Sequence, residues 1–188
     1  MEVSEALYGL LGSFEISLRN RIHQAILAET GDSMWFKGKH FTDTFRDWQR
    51  RAVIKAEEAA SGNGRANTPS RLLCEFSLGF WTSLTAAHSE QQLWVPAVQH
   101  AFQRGVRRSH VHNRLERIHK LRNRVAHHEP VIHRDGSLRI GTREDLTVAE
   151  MVEAIAWICP ATAQWIAVPS RLERCTQRPN RKSALGAP

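Results

Sequence analysis

Apolar side chains recur at intervals of three and four residues along the first thirty residues, and this spacing restricts the chain to a helical architecture. One helical face over residues 3–29 would carry Leu7, Leu11, Phe14, Leu18, Ile22 and Ala25. Gly31 predicts the end of this helix. The alternating pattern of a β-strand is nearly absent elsewhere. The sequence therefore predicts an all-α fold, a helical bundle over residues 1–170.

Turn signals divide the middle of the chain into further helices. Thr42 is suited to cap a second helix, which the Gly-Asn-Gly segment at 62–64 would end. Thr68 and Pro69 suit the start of an apolar helix over residues 70–87. Pro96 predicts either the start of another helix or a kink within it.

The last third of the chain contains the most basic helix. It is predicted over residues 110–128 and is closed by Pro130. A polar, irregular insertion follows, with one short hairpin around Asp135. One last helix, or two split at Pro160, completes the domain. The basic, apolar-poor segment 171–188 predicts a disordered tail.

Positive charge is concentrated around this basic helix. The whole chain carries a formal charge of +7, whereas residues 101–143 alone hold eleven Arg or Lys and three acidic residues, a net charge of +8. Clustered cations gain affinity for nucleic acids by releasing the counterions of phosphates. The pattern favours a polyanion such as RNA as partner, and a solvated basic surface is the alternative.

Cysteine and membrane signals indicate a cytoplasmic protein. Three cysteines at wide spacing, Cys74, Cys159 and Cys175, provide neither a disulfide framework nor a zinc site, and the first two are predicted to pack in helices. The acidic N-terminus is unlike a signal peptide, and the most apolar run is interrupted by polar residues. We therefore expect no export and no membrane span. The six tryptophans, which are spread over the predicted helices, are predicted to be core and helix-contact residues, with stacking on nucleic-acid bases as the alternative.

The basic helix ends in the sequence LRNRVAHHEP at residues 121–130, whose first four letters repeat LRNR at 18–21. On a helical wheel Arg122 falls within the apolar stripe, where an unpaired guanidinium is costly to bury unless it faces a partner. Asn123 and His127 lie on an adjoining polar seam with His112, Glu116 and His119. Arg122, Asn123 and His127 are therefore predicted to converge on one ligand.

The seam includes one Glu-x-x-His pair, Glu116 and His119. Di-metal helical bundles use two such pairs with additional carboxylates. We therefore expect no metal and no other cofactor. In the first LRNR copy, residues 19–23 are predicted to form an exposed or interhelical polar face, with RNA binding as the alternative.

The segment RNRVAHHEP, preceded by VHNRLERIHKL, resembles the signature of Abi-like (abortive infection) proteins, a branch of the HEPN superfamily of helical ribonucleases. SFEISLRNRIH near the start and EFSLGFW in the middle also resemble the Abi-like pattern, so the likeness covers roughly residues 5–170. The superfamily motif is Arg, four to six residues and His. Arg122, Asn123 and His127 match it here.

The resemblance implies a metal-independent endoribonuclease of phage defence or toxin type, working as a homodimer whose two motifs face each other. His127 would be the general acid or base, Arg122 would hold the phosphate, and Asn123 would position the histidine or a phosphate oxygen. The residues expected to bind nucleic acid around them are Arg117, Lys120, Arg124, His128 and Arg19. An antitoxin or another regulatory partner is compatible with this class. The alternatives are an RNA-binding module without cleavage and a regulatory helical dimer.

Overall fold

The computed structural model describes residues 2–38, 41, 43–61, 66–131 and 145–167. Most of these residues form α-helices: α1 (Glu2–Thr30), α2 (Asp47–Ser61), α3 (Pro69–Glu75), α4 (Leu78–Ser83), α5 (Arg108–Ala126), α6 (Val148–Ile158) and α7 (Pro160–Ala167). Between them lie 3₁₀ turns at Trp35–Lys37, Ala87–Ser89 and Val98–Ala101 and a π-helical turn at Glu90–Trp94. No strand occurs within the described ranges, and the predicted all-α class is confirmed for them.

The long first helix forms the centre of the fold. Its predicted apolar face is buried from Leu7 to Ile22. Ala25 is only partly buried, because the larger Ile26 fills the next core position, one turn after Ile22. Gly31 has φ +68° and ends the helix as predicted. α1 packs against α4, α5, α6 and the 98–101 turn, so one helix organises the bundle.

The apolar helix predicted over residues 70–87 is divided into α3 and α4. Phe76 and Ser77 have extended backbones, with ψ 127° and 160°. The break lets Phe76 enter the core, where its ring stacks on Phe80 at a centroid distance of 4.2 Å and meets the edge of Trp81. Because neither glycine nor proline marks this break, the sequence predicted one continuous helix. Tertiary packing of an aromatic residue decides the local conformation here.

Two prolines affect the chain differently. Pro96 follows the π-helical turn, in which the Val95 N–H donates to the Glu90 carbonyl at 2.8 Å, and a 3₁₀ turn begins at Val98. The helix predicted to begin or to kink at this proline is therefore replaced by short turns. Pro160 separates α6 from α7, which confirms the predicted split. Thr147 starts α6 in a reciprocal capping box with Glu150.

Several sequence predictions fall outside the described residues. These are the Thr42 cap, the glycine turn at 62–64, the hairpin around Asp135, Cys175 and the tail at 171–188. The second helix, as described, begins at Asp47. The basic helix begins at Arg108 and ends at Ala126, two residues earlier at each end than predicted.

Four of the six tryptophans lie in the core, as predicted, but Trp48 is 40% exposed; nothing is described for the side chain of Trp165.

Cys74 is exposed, contrary to its predicted packing role, because Leu72 and Leu73 form the buried face of α3. Cys159 is partly buried and accepts a hydrogen bond from the Thr162 hydroxyl at 3.1 Å. Among the helices described, none combines the length and hydropathy needed to cross a membrane.

Candidate active site at the end of the basic helix

Helix α5 ends in a Schellman motif that fixes the backbone of the two histidines. The His128 N–H donates to the Val125 carbonyl at 3.1 Å, and the Glu129 N–H donates to the Arg124 carbonyl at 2.9 Å. His128 adopts φ +56°, the left-handed conformation for which glycine is the usual residue. His127 is the C-cap residue, so its imidazole leaves the helix just before the turn. The motif therefore ends at a defined corner and not at a frayed helix end.

The hydroxyl of Tyr8 contacts this same corner. It donates to the Val125 carbonyl at 3.2 Å, although the two residues are 117 positions apart in sequence. Tyr8 is 49% exposed, so its ring lies at the surface beside the last turn of α5. Sequence reasoning gave Tyr8 no role, because only the packing of α1 on α5 brings it here.

Arg122 lies at the edge of the buried face of α5. The predicted stripe residues Val111, Leu115, Ile118 and Val125 are at most 1% exposed, whereas the Arg122 side chain is 39% exposed. Toward the end of the helix the buried positions shift to Leu121 and Val125, and Arg122 falls beside them. Its Nε lies 3.9 Å from a carboxylate oxygen of Glu15 on α1. The guanidinium is thus paired at long range and still open to solvent.

Asn123 is held by His119, one turn earlier on the same face. The Asn123 Nδ2 lies 3.3 Å from the His119 Nε2, where the amide can donate to a neutral imidazole. Burial lowers the pKa of His119 below its usual value of 6.5; Glu116 raises it, Arg122 lowers it, and Glu15 and Lys120 add smaller opposing effects. The neutral imidazole is therefore favoured at pH 7. It is the form that can accept from Asn123.

A glycine on α4 makes room for the His119 ring. A Cβ placed on Gly79 would lie 2.9 Å from Cε1 and 3.0 Å from Nε2 of His119. These distances are shorter than ordinary van der Waals contact, so an alanine there would displace the imidazole. Sequence reasoning placed His119 on the polar seam but gave it no part in the site. Its spacing of four residues from Asn123 was the available signal.

The structure brings only part of the predicted trio together within one chain. Arg122, His119 and Asn123 are neighbours, but the exposed His127 side chain makes no hydrogen bond or ion pair in the part of the chain that the structure describes. Its backbone N–H donates to the Asn123 carbonyl at 3.0 Å. The imidazole is thus available to a ligand or to a second chain.

The five residues expected to bind nucleic acid are in different environments. Lys120 and His128 are exposed, and Arg19 is partly exposed on α1. Arg124 pairs with Glu129 at 2.9 Å and is only 20% exposed. Arg117 is 18% exposed, pairs with Glu150 at 2.7 Å and also binds the Asp145 carbonyl. Arg117 is therefore held mainly within the protein, and its charge is balanced there.

Glu150 is the acidic partner in the ion pair with Arg117. Burial raises the pKa of its carboxyl, but hydrogen bonds from Arg117 and Thr147 outweigh that effect and lower the pKa to about 2. The carboxylate is therefore ionised across the neutral range, and α5 and α6 are joined by a permanent charge pair.

The first LRNR copy differs from the second in the surroundings of its histidine. The His23 Nδ1 accepts from the Trp35 Nε1 at 3.1 Å, and burial lowers the pKa of His23. Trp35 is fully buried. His23 therefore accepts the hydrogen bond of a buried tryptophan, which agrees with the predicted interhelical polar face. His127, in contrast, is exposed to solvent.

The seam histidines and acids do not assemble a metal site in the described residues, where no group of three or more His, Cys, Asp or Glu side chains is placed to hold an ion. His112 Nδ1 instead lies 2.9 Å from the Thr85 hydroxyl.

Comparisons with protein-family models, with curated proteins and with solved structures gave no match.

Proposed function

We propose that the chain is a metal-independent endoribonuclease of the HEPN type that acts as a homodimer, in phage defence or as a toxin, in the cytoplasm. The observation that supports this most is the exposed imidazole of His127, which has no partner among the described residues and lies at a defined helix corner, on the same helix end as Arg122 and Asn123. Imidazole is the side chain most often used for proton transfer near neutral pH.

In this proposal His127 takes the proton from an RNA 2′-hydroxyl as it attacks the adjacent phosphorus. Attack expels the 5′-oxygen of the next nucleotide, which takes up a proton, and leaves a cyclic phosphate. The Arg122 guanidinium binds a non-bridging phosphate oxygen and offsets the charge that develops there. Asn123, oriented by the neutral His119, holds a second oxygen. General acid–base assistance contributes roughly 10²- to 10⁴-fold to such a reaction.

A second chain would supply the proton transfer partner that one chain lacks. Two imidazoles, one as base and one as acid, serve both ends of this reaction, and each chain carries one His127 in the motif. A two-fold interface places identical residues opposite each other, so one motif per chain gives two histidines per cleft. The 39% exposure of Arg122 is compatible with a position at such a cleft.

The proposal is tested by incubating purified protein with total RNA in EDTA. We expect cleavage by the wild type and a loss of about 100-fold or more in His127→Ala and Arg122→Ala. The matched controls are His100→Ala and Arg104→Ala, since both side chains are exposed outside the helices of the site. Equal, salt-sensitive RNA retention by all variants without cleavage would support a binding module instead.

A further inference from the structure

A basic cavity lies along the N-terminal half of α5, away from the motif at the C-terminal end of the helix. Its volume is about 370 Å³, within the range of about 300–1,000 Å³ typical of small-molecule sites. The lining residues are the N-cap residue of α5 and residues of its N-terminal half: Arg107, Ser109, His110, Asn113, Arg114 and Arg117. None of the lining residues takes part in the proposed cleavage reaction, and only Arg117 is among the residues predicted to bind nucleic acid.

The two inner arginines, Arg114 and Arg117, form a fixed wall of the cavity, and their charges are offset by glutamates. Arg114 is 8% exposed; its guanidinium binds the Glu150 carbonyl at 2.6 Å and the Glu153 carboxylate at 2.9 Å, and it lies 5.2 Å from the centre of the Trp157 ring. Arg117 is fixed by Glu150, as described above. These contacts prevent the wall from rearranging, so a ligand meets guanidinium groups that are already in place.

The outer side chains of the cavity can donate hydrogen bonds and have no partner within the described ranges. In the described part of the chain, Arg107, Ser109, His110 and Asn113 are exposed, and none of their side chains makes a hydrogen bond or an ion pair. His110 is oriented by an edge contact with Trp157, at a centroid distance of 5.0 Å. Four polar side chains therefore line one side of the cavity and have no hydrogen-bond acceptor among the residues that the structure describes.

The charge balance of the cavity favours an anion. Glu150 and Glu153 offset the charges of Arg114 and Arg117, which leaves the guanidinium of Arg107 in excess, and His110 adds positive charge when it is protonated. The Arg107 backbone also precedes the first turn of α5, whose N–H groups lack partners within the helix. Several donors around one volume match the three terminal oxygens of a phosphoryl group better than a flat carboxylate.

We infer that this cavity binds a phosphomonoester, with room for a nucleotide-sized molecule. The Arg107 guanidinium would bind two phosphate oxygens through its planar fork. The Asn113 amide and the Ser109 hydroxyl would donate to the remaining oxygen and to the rest of the ligand. The cavity residues precede Asn123 by six to sixteen residues, which is about 9–24 Å along the helix axis at about 1.5 Å per residue, so the site is separate from the motif.

The inference is tested by calorimetric titration of the full chain with AMP, inorganic phosphate and adenosine. We expect AMP and phosphate to bind and adenosine not to bind. Arg107→Ala and Asn113→Asp should each weaken AMP binding at least about fivefold, because both remove a donor and the second adds a negative charge. Arg104→Ala, an exposed arginine outside the cavity, should bind AMP as the wild type does.

A parallel titration with a short RNA carrying a 5′-phosphate or a 5′-hydroxyl distinguishes the two sources of a phosphomonoester, a free nucleotide and an RNA end. His127→Ala should keep full AMP affinity, so this site can exist whether or not the chain cleaves RNA. The inference is overturned if AMP and phosphate do not bind at millimolar concentration, if adenosine binds equally well, or if Arg107→Ala leaves the affinity unchanged.

Discussion

At the scale of single residues, His119 connects the helix packing to the candidate site. Its ring fits against Gly79 on α4 and lies within hydrogen-bond distance of Asn123, so the position of one catalytic candidate depends on a glycine in another helix. A half-buried imidazole in such a place is both a packing residue and a hydrogen-bond acceptor. Its two roles can be separated by substitution.

Replacing Gly79 by alanine should disturb this contact. We expect Gly79→Ala to be less stable than Gly9→Ala by about 1–3 kcal/mol in urea unfolding, because the new methyl group must displace the His119 ring. Gly9→Ala is the matched control: no atom lies within 4 Å of its added Cβ, and alanine is favoured in a helix by about 0.5–1 kcal/mol. Equal stabilities of the two variants would contradict the packing described.

The protonation of His119 predicts a dependence of stability on pH. Because burial lowers its pKa in the folded protein, the unfolded chain binds more protons as the pH falls below about 6.5. The associated stability is present above that pH and is lost below it. His119→Gln keeps an acceptor for Asn123 but does not titrate. Between pH 7.5 and 5.5 the wild type should therefore lose more unfolding free energy than this variant.

The comparison of the wild type with His119→Gln already controls for the other histidines with lowered pKa values. His23 and His88, whose pKa values burial also lowers, are present in both proteins and cancel in the difference. Parallel pH profiles for the wild type and His119→Gln would show that His119 is charged in the folded state or has no shifted pKa.

At the scale of elements, the end of α5 combines a regular capping motif with an unusual residue. Both hydrogen bonds of the Schellman motif are present, yet the left-handed position is occupied by His128. A residue with a Cβ pays a steric cost of roughly 1–2 kcal/mol in this conformation. Strained backbone positions of this kind cluster at functional sites, which agrees with the proposed role of the neighbouring His127.

Glycine at position 128 should remove this strain. We expect His128→Gly to stabilise the protein by about 0.5–1 kcal/mol, after allowance for the greater freedom of glycine in the unfolded chain. Thermal unfolding would detect this as a higher Tm. His128→Ala serves as the matched variant: it removes the imidazole but keeps a Cβ, so it should give no such gain. A similar rise in both variants would attribute the effect to the imidazole and not to the backbone.

Local sequence signals predicted those elements in which a single pattern determines the structure. The buried face of α1 follows from the spacing of its apolar residues. The helix ends at Gly31 because glycine readily adopts the positive φ found there, and Pro160 separates two helices because it has no N–H to donate. The break at Phe76–Ser77 could not be predicted, because it arises from the packing of Phe76 with Phe80 and Trp81. The π-helical turn before Pro96 carries no comparable signal.

For the candidate site, the sequence predicted which residues share a face of α5, but it did not predict their contacts with other helices. The wheel placed Asn123 and His119 on one seam, and they are within hydrogen-bond distance. It could not show that Glu15 and Tyr8 of α1 approach the end of α5, since those contacts depend on how two helices cross. Nor could composition show that Arg117 is paired internally with Glu150.

At the scale of the whole molecule, α5 has a different chemical environment at each end. Its N-terminal half faces α6 through arginine–glutamate pairs and borders the basic cavity. Its C-terminal end faces α1 and presents His127 to solvent. If the proposed dimer forms through this second end, the basic cavity stays accessible toward the other end of the helix. Nuclease action and ligand binding would then use separate surfaces of one element.

The measurement that tests the central claim most directly is the chemistry of the RNA ends produced in EDTA. Attack by a 2′-hydroxyl predicts fragments that begin with a 5′-hydroxyl, which accept labelled phosphate from a polynucleotide kinase without prior dephosphorylation. We predict that the wild type generates such ends and that His127→Ala does not, while His100→Ala does. New ends that carry 5′-phosphates, or 5′-hydroxyl ends formed equally by His127→Ala, would contradict the account.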